Sequence, residues 1–135
     1  MSLHNCLMIE DSRTQSRILS GFIAKHDWMA TICFSVEDAL RSYQNIPFEG
    51  ILLDLFLEKG TSLKHLAEIR RSWSGTPITV MTAGSDQIES IDALKAARRA
   101  GVEFVIKKPF PDTVLGDILK DKYALKTTGR RRLHV

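Results

Sequence analysis

Short apolar runs alternate five times with stretches of helical period along the chain. Residues 3–9 form the first run and predict a strand. From Ser12 to about His26, Ile18, Leu19, Phe22 and Ile23 recur at helical spacing. Residues 31–34 predict the second strand. Ser35 followed by Asp38 has the form of a capping box and opens a helix through Leu40 and Tyr43. Pro47 and Gly50 break the chain before the third strand, residues 51–55. Gly60, Thr61 and Ser62 predict a loop, after which Leu63, Leu66, Ile69 and Trp73 line a third helix. Gly75, Thr76 and Pro77 punctuate before the fourth strand, residues 78–81. A fourth helix runs from Asp86 to about Ala100 with Ile88, Ile91 and Leu94 inward, and Gly101 closes it as a C-terminal cap. Residues 102–106 predict the fifth strand. Pro109, Phe110 and Pro111 then turn into a last helix carrying Val114, Leu115, Ile118 and Leu119.

Apolar strands separated by amphipathic helices predict an α/β fold, a doubly wound five-stranded parallel sheet with helices on both faces. Right-handed crossovers leave few topologies. The commonest order for five strands is 2-1-3-4-5, in which ligands gather at the carboxyl ends of strands one and three. Glu10 and Asp11 follow the first of these strands, and Asp54 lies at the end of the other.

Composition changes this picture little. At 135 residues, with 44% apolar and 26% charged side chains, the chain reads as one globular domain. No apolar run approaches the roughly 20 residues of a membrane span, and the start of the chain lacks a secretory signal pattern. Cys6 and Cys33 fall in strand-like segments and read as buried free thiols, which suits a reducing cytoplasm. His4, His26, His65 and His134 have no ligand spacing. The net charge of +3 belongs to the end of the chain: residues 121–135 carry +4 and the first 120 carry −1. The expected organisation is a domain over residues 1–121 and a basic tail or start of a linker over 122–135. The basic run Arg130–Arg132 has no folded nucleic-acid reader beside it.

Asp54 stands in an otherwise apolar strand. A carboxylate buried there must be paired, exposed at a strand end, or bound to a cation. Glu10 and Asp11 end one strand, Lys108 follows another, and Thr82 follows a third. Oxygen ligands without histidine or cysteine favour Mg²⁺, Mn²⁺ or Ca²⁺. Lys108 can pair with Asp54 or with a phosphoryl oxygen. The set describes phosphoryl transfer to a carboxylate: Asp54 is the nucleophile, and Lys108 and Thr82 hold phosphoryl oxygens. No glycine-rich phosphate cradle is present, so the phosphoryl donor comes from outside. A phosphatase or mutase using an aspartyl nucleophile would need a second acid two residues after Asp54, where Phe56 stands.

Met8-Ile9-Glu10-Asp11-Ser12, Leu53-Asp54-Leu55, Met81-Thr82-Ala83 and Lys107-Lys108-Pro109-Phe110, in this order, resemble the receiver domains of two-component response regulators over about residues 4–120. The resemblance implies a flavodoxin-like fold shared with chemotaxis regulators. It implies that Asp54 is the phosphoacceptor and that Asp11 binds Mg²⁺ (or Mn²⁺) directly, with Glu10 acting through water and Phe56 giving a backbone carbonyl. Thr82 becomes the switch hydroxyl and Lys108 the conserved lysine, with Lys107 a solvated neighbour. The implied protein is cytoplasmic and not an enzyme beyond self-catalysed phosphorylation and slow autodephosphorylation. Its partners are a sensor histidine kinase or a histidine phosphotransfer protein. An output domain or a homodimer would use the fourth helix, fifth strand and fifth helix. Four positions depart from the family pattern. Val105 replaces an aromatic, with Phe104 on the opposite face. Glu58 and Ser62 replace a proline and a glycine in the loop after Asp54. Phe56 replaces a polar side chain that orients attacking water, which predicts slow loss of the phosphoryl group. The alternative is a receiver-like interaction module that is never phosphorylated.

Overall fold

The computed structural model describes residues 3–57, 60–82, 88–108 and 110–119, with only the backbone described for 60, 61, 88–91 and 93. Five parallel strands form one sheet: β1 (His4–Ile9), β2 (Trp28–Cys33), β3 (Gly50–Asp54), β4 (Ile78–Thr82) and β5 (Phe104–Lys107). Their order across the sheet is 2-1-3-4-5, as the apolar pattern predicts; a separate two-residue antiparallel ribbon pairs Phe56–Leu57 with Gly60–Thr61. The helices are α1 (Arg13–Ala24), α2 (Val36–Tyr43), α3 (Leu66–Ser72), α4 (Ile88–Arg99) and α5 (Asp112–Asp117).

Strand alternation divides the core into two layers. Leu7 and Ile9 of β1, Ile51 and Leu53 of β3, and Ile78 and Val80 of β4 pack with Val36 and Ala39 of α2, Leu66 and Ile69 of α3, and Ala97 of α4. Cys6, Met8, Leu52, Met81 and Ile106 face the other way, onto Leu19 and Ile23 of α1 and Leu115 of α5. The three inner strands are buried on both faces, which is why they read as unbroken apolar runs. Each such Leu or Ile contributes roughly 1.5–3 kcal/mol by burial. Cys6 and Cys33 are free and buried, one in each layer, and burial pushes their thiols up to about 12 and about 11. Both tryptophans are core residues, and Trp73 Nε1 donates to the Tyr43 carbonyl at 3.1 Å.

Several boundaries differ from those expected. β2 begins at Trp28, three residues before the expected start, because Asp27 turns the chain at φ +65° and sets Trp28 beside His4. As an edge strand with Met29 exposed, β2 lacks a full apolar signature at that end. Residues 60–62 are not a plain loop: Gly60 and Thr61 join the ribbon, and Ser62 opens a single 3₁₀ turn, Ser62–His65. β5 starts at Phe104 because the two preceding residues serve as connectors. The Glu103 carboxylate accepts from Ile78 N–H at 2.8 Å and pairs with Arg70, which also donates to the Gly101 carbonyl. Gly101, at φ +87°, ends α4 as expected. Ser12 and Ser35 cap α1 and α2 through their side-chain oxygens. Glu58, Ala83, Gly84, Asp86, Pro109 and the boundary at 121 with the tail 122–135 lie outside the described residues, as do the side chains of Ile88 and Ile91. No helix among the described residues is long and apolar enough to cross a membrane.

Gly116 of α5 faces the His26 imidazole, and a Cβ added there would run into the ring. Gly116→Ala should therefore push the His26 ring aside and shift its imidazole resonances, with little change in melting temperature because the ring is the far end of a side chain. Gly21→Ala, where nothing lies within reach of the added carbon, should hold or raise the melting temperature. Imidazole resonances of His26 that stay in place in Gly116→Ala would contradict this packing.

Candidate functional site

All five strands run the same way, so their carboxyl ends share one edge. In register, Ile9 of β1 stands opposite Leu53 of β3, and Asp54 opposite Met81 of β4. The residue after β1 is Glu10, whose N–H donates to the Cys33 carbonyl at 3.0 Å. Alternation puts Glu10 and Asp54 on the same side of the sheet, toward α1 and α5. Asp11 follows at the turn into α1. Thr82 ends β4, and its carbonyl accepts from Lys108 N–H at 2.7 Å, which anchors the lysine backbone just beyond β5.

Glu10, Asp11 and Asp54 bring carboxylate oxygens within 4.8 Å of one another. They line a cavity of about 420 Å³ together with Ser12, Gln15, Phe56 and Lys108. Asp54 is only 6% exposed, yet it forms part of the wall of this open cavity. Its Oδ1 accepts from Phe56 N–H at 3.1 Å, and its Oδ2 lies 3.5 Å from Lys108 Nζ. Lys108 is closer to Glu10, at 2.8 Å from Oε2. Glu10 Oε1 accepts from Ser12 N–H at 3.2 Å. The sequence-predicted residues Glu10, Asp11, Asp54, Phe56 and Lys108 are therefore brought together. Thr82 stands on the neighbouring strand end, fully buried, and its hydroxyl has no hydrogen-bond partner among the described residues. Lys107 is exposed.

Burial is the main cause that pushes the Asp54 carboxyl up to about 7. The Lys108 ammonium opposes the shift, the Glu10 carboxylate and its hydrogen bond add to it, and the Phe56 N–H opposes it. One lysine does not balance three clustered acids. An all-oxygen donor set of three carboxylates fits a hard divalent cation, and nothing in it suits a soft one.

Two residues here were not singled out from the sequence. Gln15 Oε1 lies 2.5 Å from Lys108 Nζ, and Ser12 Oγ accepts from Gln15 N–H at 3.1 Å. The signal was available, since Ser12-Arg13-Thr14-Gln15 is a capping-box pattern. Ser62 is the second, where the sequence shows only a serine in place of a glycine. Its buried hydroxyl donates to the Asp54 carbonyl at 2.9 Å, and its N–H donates to the Leu55 carbonyl at 2.8 Å, closing the chain behind the acid. Phe56 packs against the α2/α3 layer and is also among the residues that line the acidic cavity. Val105 is half-buried opposite Val80, and Phe104 packs in the other layer, as alternation predicts.

A five-stranded parallel sheet with an acidic cavity at its carboxyl edge and a lysine beside it defines a receiver-type domain. Residues 6–120 match the response regulator receiver domain family, and the chain belongs to it. It is 26% identical over 104 residues to the transcriptional regulatory protein DltR of Streptococcus agalactiae, covering 77% of this chain and 45% of that relative. The chain thus spans less than half the length of this curated relative. A response regulator receiver domain protein (CheY-like) from Methanospirillum hungatei JF-1 superimposes with a TM-score of 0.81 at 19% identity, covering 95% of this chain and 99% of that one. The receiver domain of a sensor histidine kinase from Pseudomonas aeruginosa PAO1, solved with a magnesium ion coordinated in its active site cleft, gives 0.77 at 22% identity, covering 91% and 99%.

The raised Asp54 pKa has a definite sign. Below about pH 3.9 the carboxyl is protonated in both folded and unfolded chains. Between there and about 7 the fold keeps the proton that the unfolded chain releases. Cation-free stability therefore falls as pH rises through this window, and the loss is complete above it. Melting temperatures of the cation-free protein from pH 4.5 to 8 should drop relative to Asp54→Asn. Added Mg²⁺ should restore the wild type most at the upper end. A constant difference between the two proteins across this range would contradict the assignment.

Proposed function

We propose that Asp54 accepts a phosphoryl group from the phosphohistidine of a sensor histidine kinase or histidine phosphotransfer protein, and that the aspartyl phosphate controls an output. The observation that carries this reading is the convergence of Asp54, Glu10, Asp11 and Lys108 on one open cavity at the edge of the sheet. An Asp54 carboxylate oxygen attacks the phosphorus as the P–N bond to the donor imidazole breaks. The imidazole keeps that electron pair, and the product is an acyl phosphate.

Asp11, Asp54 and the Phe56 backbone carbonyl would hold Mg²⁺ (or Mn²⁺), with Glu10 acting through water; when bound, the ion neutralises charge on the phosphoryl oxygens. The engagement of both Glu10 oxygens, by Ser12 N–H and Lys108, supports its indirect role. Lys108 offers a positive charge to the transferred group. Thr82 brings a buried hydroxyl without a partner among the described residues, at a cost of about 1–3 kcal/mol. A phosphoryl oxygen is an acceptor that would satisfy it, and that gain couples modification to a shift of the chain after β4. With Val105 in place of an aromatic, the signal passes through the backbone of that segment. An output domain or a second copy would read it at α4, β5 and α5. We place the protein in the cytoplasm, where the two free thiols remain reduced.

The chain is a phosphoacceptor rather than an enzyme acting on other molecules. Its phosphoryl group leaves slowly, because Phe56, a residue of the cavity lining, has no polar side-chain atom to orient an attacking water.

Incubation with acetyl phosphate and Mg²⁺ should add one phosphoryl group by intact mass, labile to hydroxylamine and absent in Asp54→Asn. Labelling that persists in Asp54→Asn would refute the assignment. No labelling in the wild type would favour the unphosphorylated interaction module. Decay of the phosphorylated protein should speed up about tenfold in Phe56→Asn; an unchanged or slower decay would remove the role given to Phe56.

A further inference from the structure

Lys108 has three ammonium N–H donors and three oxygen neighbours: Glu10 Oε2 at 2.8 Å, Gln15 Oε1 at 2.5 Å and Asp54 Oδ2 at 3.5 Å. The first is the distance of a charge-assisted hydrogen bond, the second is tighter than the usual range, and the third is too long for a strong bond. Glu10 and Gln15 thus occupy two donors, and the third is left directed at the Asp54 side of the cavity.

Gln15 is available for this because of an exchange at the start of α1. In a capping box the third residue of the helix bonds back to the N–H of the capping residue. Here Ser12 caps Gln15 N–H, but Ser12 N–H is taken by Glu10 Oε1 at 3.2 Å. The Gln15 side chain is free of the helix terminus and meets the Lys108 ammonium. It lines the acidic cavity with Glu10, Asp54 and Lys108. It also lines an adjoining apolar groove with Ile18, Leu19, Phe22 and Phe110.

From this geometry we infer that Gln15 is a positioning residue for phosphoryl transfer, which fixes the rotation of the Lys108 ammonium so that one N–H meets the incoming phosphoryl group. The inference rests on the phosphoacceptor reading above. A glutamine suits the task because its amide oxygen accepts without adding a fourth negative charge to the cavity. Without it the ammonium pivots on Glu10 alone, and part of its preorganisation is lost.

The test is a double-mutant cycle on the whole chain, following phosphorylation by phosphoramidate at saturating Mg²⁺ with intact mass, and Mg²⁺ affinity by calorimetry. Gln15→Met keeps the length of the side chain and removes the amide oxygen. It should lower the rate constant about three- to tenfold at saturating donor and leave Mg²⁺ affinity within about twofold. In a Lys108→Ala background the same substitution should have no further effect. An unchanged rate in Gln15→Met, or an equal fall in both backgrounds, would overturn the inference, the second outcome marking Gln15 as a donor contact or a structural residue. Wild-type protein that takes up no phosphoryl group would remove the phosphoacceptor reading and this inference together. Uptake that is normal in both wild type and Gln15→Met removes only the role of Gln15.

Discussion

The electrostatic problem at the edge of the sheet organises this molecule. Glu10, Asp11 and Asp54 are held with oxygens inside 4.8 Å, and Lys108 is the cation lining their cavity. Two unit charges 4 Å apart repel by about 4 kcal/mol at an effective dielectric near 20. Acids on flexible loops would move apart. These cannot, because Glu10 and Asp54 are fixed by two central strands whose side chains are buried on both faces. The core layers therefore do more than stabilise the fold. They hold the acids together where a cation, or a proton on Asp54, would lower their repulsion.

That constraint explains the contacts around the cavity. Lys108 leans toward Glu10 and Gln15 more than toward Asp54, whose own contacts are the Phe56 N–H, the Glu10 carboxyl and a long ion pair to Lys108. Ser62 ties the Asp54 carbonyl from behind, where the family pattern has a glycine. The side chain at 62 thus anchors the start of the turn that carries Phe56. Phe56 then serves two layers at once, with its ring against the core and its N–H on the acid.

Much of this was legible in the sequence because parallel strands make it so. Strands buried on both faces leave apolar runs, and any charged residue at their ends stands out, as Asp54 does. Order, layers and the grouping of the acids with Lys108 followed from that pattern. What was harder to read had local physical reasons. β2 is an edge strand with Met29 exposed, so its first half carries no continuous run. The ribbon at 56–61 is two residues long on each side, too short to leave a periodic signal. Gln15 carried a capping pattern, but its cross-sheet partner depends on Glu10 taking the Ser12 N–H, a tertiary event. The Ser62 hydroxyl bond likewise depends on a turn shape that composition does not specify.

The most direct measurement is a Mg²⁺ titration of the ¹⁵N-labelled protein followed by its backbone amide resonances. A single saturable site should appear, with the largest shifts at residues 10–12, 54–56 and 108, and saturation should be lost in Asp11→Asn. Shifts scattered over the surface, or an acidic edge indifferent to the ion, would contradict the account.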